Sequence, residues 1–204
     1  MGINWREDVL RHADGLCRCG WCGHDPDYIH YHDTEWGVPE FDGRALFEKL
    51  LLDQFQAGLS WLVILKKREN FRRAFAGFDP RRIAAFTEAD IARLLQDPDI
   101  VRNRAKIEAA VHNARVLLEH GGPGWFSRWL WDFVDGRPLD PGYRTRAQVP
   151  DQTELSSRIS RQMKGLGFRF CGPVVIQAFI QAVGLTNDHL ASCHRHEAVA
   201  QMAP

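Results

Sequence analysis

The stretch from Cys19 to Gly37 reads Cys-Gly-Trp-Cys-Gly-His-Asp-Pro-Asp-Tyr-Ile-His-Tyr-His-Asp-Thr-Glu-Trp-Gly and holds two Cys, three His, two Tyr and two Trp. No helical or strand period orders it, so burial of a plain amphipathic face does not account for its composition, and a loop that builds a site is expected. Twelve residues separate Cys19 from His32, and near the other end of the chain His189 and Cys193 stand four apart, a spacing that on a helix puts both side chains on one face. Two thiolates and two imidazoles suit a closed tetrahedral zinc site, which would hold the two ends of the chain together. Cys17 or Cys22 can stand in for Cys19, since Cys19 and Cys22 form a C-x2-C pair of the kind that supplies half a zinc site. His32-Asp33 is also a pair that a helical metal phosphohydrolase could use with a hard divalent ion. Spacing alone does not choose among these.

Length and composition limit what surrounds the site. A chain of 204 residues holds one well-buried core or two small lobes, and 45% hydrophobic with 25% charged residues describes a soluble globular protein. The five Cys lack the spacing of a disulfide framework, and Met-Gly-Ile-Asn-Trp-Arg-Glu-Asp lacks the apolar run of a secretion signal, so a reduced, cytoplasmic protein is expected. No apolar run approaches the ~18 residues of a membrane span. The formal net charge is zero, which argues against binding nucleic acid by bulk attraction and leaves only local clusters. These are Lys66-Lys67-Arg68 with Arg72-Arg73, then Arg102, Arg104 and Lys106, then Arg158, Arg161, Lys164 and Arg169.

Residues 1–18 read as an irregular extension ahead of a single helical domain over 19–204. Asp42 is placed to cap a helix in which Leu46, Phe47, Leu50, Leu51 and Phe55 recur at the helical period, ended by Gly58. Ser60 begins a second helix with Trp61, Leu62 and Leu65, Pro80 and Thr87 mark two more starts, and a longer helix is expected from about Asn103 to His120, stopped by Gly121-Gly122-Pro123. Trp125, Trp129 and Phe133, four residues apart, read as core packing. After a Pro- and Gly-marked connection from about 136 to 152, Thr153 caps a helix with Leu155, Ile159 and Met163. A glycine turn, Gly165-Leu-Gly-Phe-Arg-Phe-Cys-Gly172, then leads to a helix from Pro173 to about Val183. No strand is convincing, so the expected fold is all-α. The turn has a functional reading. Gly165, Gly167 and Gly172 can bring backbone N–H groups to the surface at the start of the Pro173 helix, where the dipole favours an anion, and with Lys164 and Arg169 beside them they are candidates to hold a DNA phosphate. An ordinary helical hairpin is the plain alternative.

Taken together, Cys19-Gly-Trp21, Asp25-Pro26, Tyr28-Ile-His-Tyr31-His32-Asp33-x-Glu35-Trp36-Gly37-Val38-Pro39, Gln56-Ala-Gly-Leu-Ser-Trp61, Leu65-Lys-Lys-Arg-Glu-Asn70, Gly167-Phe-Arg-Phe170 and Asn187-Asp-His189-x3-Cys193 resemble the constitutive, type I 3-methyladenine DNA glycosylase family. The resemblance covers nearly all of the chain from Cys19 to Cys193. It implies a helix-hairpin-helix DNA glycosylase fold in which one structural zinc, held by Cys19, His32, His189 and Cys193, joins the N- and C-terminal segments. It also implies a monomeric base-excision repair enzyme acting on double-stranded DNA, a monofunctional glycosylase that hydrolyses the N-glycosidic bond of 3-methyladenine. The flipped base would stack on Trp61, with Trp21 and Tyr28 lining the pocket and with Tyr31 and an acidic side chain bonding the adenine edge. The chemistry suits such residues. Alkylation at N3 leaves a cationic ring on a weakened bond, so a neutral base departs with little acid catalysis, and an aromatic, acidic pocket can supply the selectivity. The chain departs from the family pattern at the acidic position, where Asp53 in Asp53-Gln54-Phe55-Gln56 stands for a longer Glu, and at Gln177, where a Tyr is expected. Asp188 reads as the cap of the helix carrying His189 and Cys193, not as the Asp that many hairpin glycosylases use to stabilise the sugar cation.

Overall fold

Where an irregular extension is expected, the chain pairs with itself. In the computed structural model, which describes residues 7–202, strands β1 (Val9–Arg11) and β2 (Cys17–Cys19) run antiparallel with Val9 opposite Cys19. Residues 1–6 of the expected extension lie outside the described residues. The turn passes through Asp14-Gly15, with Gly15 at φ +82°, a hairpin signal that a search for helical periods passes over. Arg18 anchors the hairpin: its guanidinium donates to Asp14 at 2.7 Å and to both carboxylate oxygens of Asp33 at 2.7–2.9 Å.

The Cys19–Gly37 stretch is not all loop. After a tight turn at Gly20–Cys22, helix α1 (Pro26–Thr34) starts with Pro at its first position, and the Asp25 carboxylate accepts from the N–H groups of Asp27 and Tyr28 at 3.0 and 3.4 Å. Asp25-Pro26 was therefore a readable helix start. Periodicity missed it because the buried face of α1 consists of Tyr31 and His32, which serve a site and not an apolar core.

Helix α2 (Gly43–Gln56) begins as expected at Asp42, whose carboxylate accepts from Arg44 and Ala45 N–H at 3.0 and 2.8 Å. Its Leu46, Phe47, Leu50, Leu51 and Phe55 are buried, and α2 packs against α3 (Trp61–Ala74), α7 (Gly122–Trp131) and α9 (Pro173–Ala182). Two shorter helices, α4 (Pro80–Ala84) and α5 (Glu88–Gln96), pack on α6 (Arg104–Glu119). Buried Lys106 of α6 donates to the carbonyls of Phe55 and Ala57 at 2.8 and 2.6 Å, which closes the C-terminal end of α2 beside Gly58. The chain then doubles back in the hairpin of α8 (Glu154–Gly165) and α9 and ends in α10 (His194–Ala200).

Two local expectations shift. The buried large side chains of α7 are Phe126, Leu130 and Trp131, while Trp125 and Trp129 and, just past the helix, Phe133 pack half-buried against that core, Trp125 stacked on Trp129 and Phe133 edge-on to it. His189 and Cys193 do not share a helix face: they lie in the turn before α10, with Cys193 at its N-cap. Asp188 is accordingly no helix cap; it is buried and accepts from Gln181 Nε2 at 2.6 Å. The described residues are mostly helical, with the one hairpin, and no helix among them is long and apolar enough to cross a membrane.

Candidate active site and metal centre

The hairpin, α1 and the turn before α10 converge on four side chains. The ligand atoms of Cys19, His32, His189 and Cys193 all lie within 4.8 Å of one another, and all four residues are buried. Cys193 Sγ is 3.4 Å from His32 Nε2 and 3.6 Å from His189 Nδ1, and Cys19 Sγ is 3.7 Å from the same Nδ1. A tetrahedral zinc with ordinary Zn–S and Zn–N bonds separates such atoms by about 3.5 Å, so the donor set fits a closed four-ligand metal. The outer atoms agree. Asp33 takes the His32 Nδ1–H at 2.7 Å and the Trp36 carbonyl takes the His189 Nε2–H at 3.0 Å, which turns Nε2 of one ring and Nδ1 of the other towards the centre. Burial pushes the Cys19 thiol well above its usual range, while its hydrogen bond and those of the two imidazoles draw Cys193 far below. Two thiols and two imidazoles enclosed together away from water are a place for a cation. Cys17 and Cys22 stand outside the group, and burial pushes the Cys22 thiol up to about 12. Asp33 is an outer partner shared by Arg18 and His32, which removes the arrangement expected of a His-Asp phosphohydrolase pair.

The same convergence shapes a cavity. Trp21, Tyr28 and Tyr31 come to it from the N-terminal side, Asp53 from α2 and Trp61 from α3, while Val174, Gln177 and Gln181 of α9 close another wall. Trp21 packs edge-on against Tyr28 and Trp36, each at 5.0 Å, and lies 5.3 Å from the His32 ring, so the metal group sets the position of this wall. Tyr31 and Trp61 meet at 5.3 Å, tilted by 42°. Burial, with the Asp53 carboxylate nearby, pushes the Tyr31 phenol well up, which keeps it neutral and able to donate. Three buried polar atoms of the lining residues have no partner: the indole N–H groups of Trp21 and Trp61 and Oδ2 of Asp53. Buried groups left this way cost free energy, so a ligand that brings a matching donor and acceptors to this wall would recover part of that cost.

One residue of this site was not singled out from the sequence. Lys49, four residues before Asp53 on α2, forms an ion pair with Asp53 Oδ1, and its ammonium lies 4.0 Å from the centroid of the Trp61 ring. The i,i+4 spacing of Lys and Asp on a helix was the available signal. Burial raises Asp53 and lowers Lys49, and each opposes the other's shift. Gln177, the second departure from the family pattern, accepts from the Thr153 hydroxyl at 2.8 Å and so ties α9 to the start of α8.

Each of the three basic clusters has members engaged by carboxylates, Arg161 with Glu154 in the third among them. Lys66 pairs with Asp25, Arg68 with Glu35, Arg72 with Glu48 and Glu69, and Arg104 with Glu88 and Glu108, while Lys106 is buried. Among the described residues no ion pair engages Lys164 or Arg169, and both are exposed beside the α8–α9 turn. That turn is held from behind. Asn113 of α6 bonds both the N–H and the carbonyl of Arg169 at 2.8 and 3.0 Å, and Gln54, next to Asp53, donates to the same carbonyl at 3.1 Å. Gly167 sits at φ +99°, and a Cβ at Gly165 or Gly172 would meet nothing within 4 Å, so these two face open space. Candidate phosphate turn and cavity therefore share α2 and α9 as a common frame.

An aromatic cavity with an acidic wall, backed by a buried Cys/His group able to hold a metal and next to a helical hairpin whose turn is open and basic, has the features that suit a site for a single flat ring. Comparison makes the class specific. The family model described as methyladenine glycosylase matches residues 21–196, and the chain belongs to that family. It is 46% identical over 179 residues to DNA-3-methyladenine glycosylase 1 of Escherichia coli (strain K12), covering 86% of this chain and 95% of that protein. A crystal structure of 3-methyladenine DNA glycosylase I superposes with a TM-score of 0.84 at 47% identity, over 87% of this chain and 98% of that one. A variant of 3-methyladenine DNA glycosylase I crystallised in complex with 3-methyladenine matches with a TM-score of 0.82 at 39% identity, over 87% and 96% of the two chains.

Proposed function

We infer that the protein is a base-excision repair glycosylase that removes 3-methyladenine from alkylated DNA. The observation that carries the reading is the cavity wall: two indole donors and one carboxylate oxygen, buried and unpartnered, among aromatic faces, in a chain whose relatives carry that activity in their names. In this reading the flipped base stacks on Trp61, Trp21 and Tyr28 line its perimeter, and Tyr31 and Asp53 are the catalytic pair that bonds its edge. The Asp53 carboxylate favours the cationic ring, and neutral Tyr31 serves as donor. When the bond from N9 to the sugar breaks, its electrons pass to the ring and cancel the positive charge. Water adds to the sugar carbon and loses its proton to solvent, leaving an abasic site in an intact strand. No protein nucleophile is needed for a leaving group that departs neutral.

The metal in this reading is a single zinc with a structural role, since four protein ligands leave no position for water. Double-stranded DNA is held by the α8–α9 turn through Lys164, Gly165, Gly167, Arg169 and Gly172, and the protein acts as a monomer. The test is release of free 3-methyladenine from alkylated duplex DNA, with the strands then examined for cleavage. Free base and uncut strands are expected, and Trp61→Ala should lower base binding by about tenfold or more, the scale of one stacking contact. Absence of released base would overturn the reading, and cutting of the strand would overturn its monofunctional part.

A further inference from the structure

Both features assigned above to recognition of a cationic base are already occupied by a cation belonging to the chain. The Lys49 ammonium lies over the Trp61 ring, 4.0 Å from its centroid, and at the same time pairs with Asp53 Oδ1. The other ring packed on Trp61 is Tyr31. A base that stacks on this indole meets Lys49 there, and at the carboxylate it shares Asp53 with Lys49, which holds Oδ1 and leaves Oδ2 without a partner. We propose that Lys49 is a resident stand-in for the base, a residue that holds Trp61 and Asp53 while the pocket is empty, yields them when an alkylated base enters, and reclaims them afterwards. The proposal rests on the glycosylase reading and adds to it a residue that sets how tightly the site holds a base.

The surroundings allow the exchange. Lys49 has a long unbranched stem and its side chain keeps 16% of its exposure, in contrast to 2% for Asp53, so the carboxylate is enclosed while the lysine side chain reaches towards the surface. On its other side Lys49 borders a second cavity, which it shares with Trp61 and which Glu35 and Glu48 also line. Those carboxylates are paired with Arg68 and Arg72, which line the same cavity, and their remaining lone pairs can accept from the displaced ammonium. Charge supplies the timing. Before bond cleavage the lesion is a cation and can replace Lys49 at the ring face and the carboxylate on equal terms; after cleavage the base is neutral, and the ammonium is the stronger partner for both. Lys49 thereby favours expulsion of the product.

The test compares the parent with Lys49→Met, which keeps the stem and removes the charge, and Lys49→Arg, which keeps the charge. Binding of free 3-methyladenine is followed by tryptophan fluorescence, and each variant's fold is checked by its thermal melt. Lys49→Met is expected to bind the free base about tenfold more tightly than the parent and Lys49→Arg no more tightly than it. Equal or weaker binding by Lys49→Met, with a parent that releases 3-methyladenine from alkylated DNA, overturns the inference and leaves the glycosylase reading standing. A parent that releases no base overturns the reading itself. Should Lys49→Met not fold, reductive methylation of the parent decides: free 3-methyladenine should increase labelling of Lys49, and unchanged or reduced labelling overturns the proposal.

Discussion

Asp53 carries an ionised carboxylate into a place where burial disfavours charge, and Lys49 is what offsets that cost. The consequence can be read in pH. Its folded pKa is pushed above the ordinary value of 3.8, so as pH falls Asp53 takes up a proton earlier than an exposed carboxylate would. Binding of a cationic base needs the ionised form. The single-turnover excision rate from alkylated DNA, in which the charge of the lesion is fixed, should therefore decline on acidification with a limb that lies above the ordinary carboxylate range. Asp53→Asn should lack that limb and should also lose much of the preference for alkylated over ordinary purine, because a charge-assisted bond of about 1.5–3 kcal/mol is replaced by an ordinary one of about 1 kcal/mol. A parent profile that is flat down to the ordinary carboxylate range, or unchanged selectivity in Asp53→Asn, would remove Asp53 from recognition.

At the scale of elements, the α8–α9 hairpin carries two exposed cations that no ion pair among the described residues engages, beside a turn fixed through its backbone. Lys66, Arg68, Arg72 and Arg104 spend their charge on neighbouring carboxylates, whereas Lys164 and Arg169 flank a turn that Asn113 and Gln54 hold in place through its backbone. A pre-ordered backbone with mobile cations on either side suits a phosphate better than a flexible loop would, since less order has to be imposed on binding. Replacing both cations by Gln should weaken binding to duplex DNA regardless of sequence and reduce the slope of log affinity against log salt by about 2, one for each phosphate no longer neutralised. An unchanged slope would place the DNA elsewhere.

Across the whole molecule, the Cys19, His32, His189 and Cys193 group joins the N-terminal hairpin and α1 to the turn before α10, and so closes most of the chain into one loop. A cross-link of that span acts mainly by restricting the unfolded chain. Removing the proposed zinc with a chelator, or Cys193→Ser, should lower stability by about 3 to 5 kcal/mol, the scale of one cross-link over a long loop, as measured by chemical denaturation. Base selectivity of the folded fraction should change less than stability does, because the group meets the cavity through the back of its wall, where His32 packs on Trp21 and His189 on Trp36, and not through the residues that bond the base. A chelator without effect on stability would exclude the metal lock, and a shift in base choice would give the metal a part in recognition.

The helix starts at Asp42, Pro80, Thr87, Asn103 and Thr153 and the buried periods behind them were legible in the chain because a helix start is decided by side chains two or three residues from the backbone groups they satisfy. The same local logic reached the glycine turn and the residue types of the site, and the family resemblance ordered those types into a ligand set and a pocket. Where local signals were present but cut across the main pattern, at the Asp14-Gly15 hairpin and the Asp25-Pro26 start of α1, the search for apolar periods hid them. The tertiary structure alone decided matters of distance between remote residues. Cys17 and Cys22 are as good thiols as Cys19 by composition, yet only Cys19 is carried by β2 to within reach of His189. Lys49 is an ordinary i,i+4 partner of Asp53 on a helix wheel, and it becomes a cation over an indole only because α3 packs against α2 with Trp61 at its first turn. Capping and periodicity act over a few residues of backbone, whereas ligand geometry and cation placement are set by how separate elements dock, which no single stretch of this chain encodes.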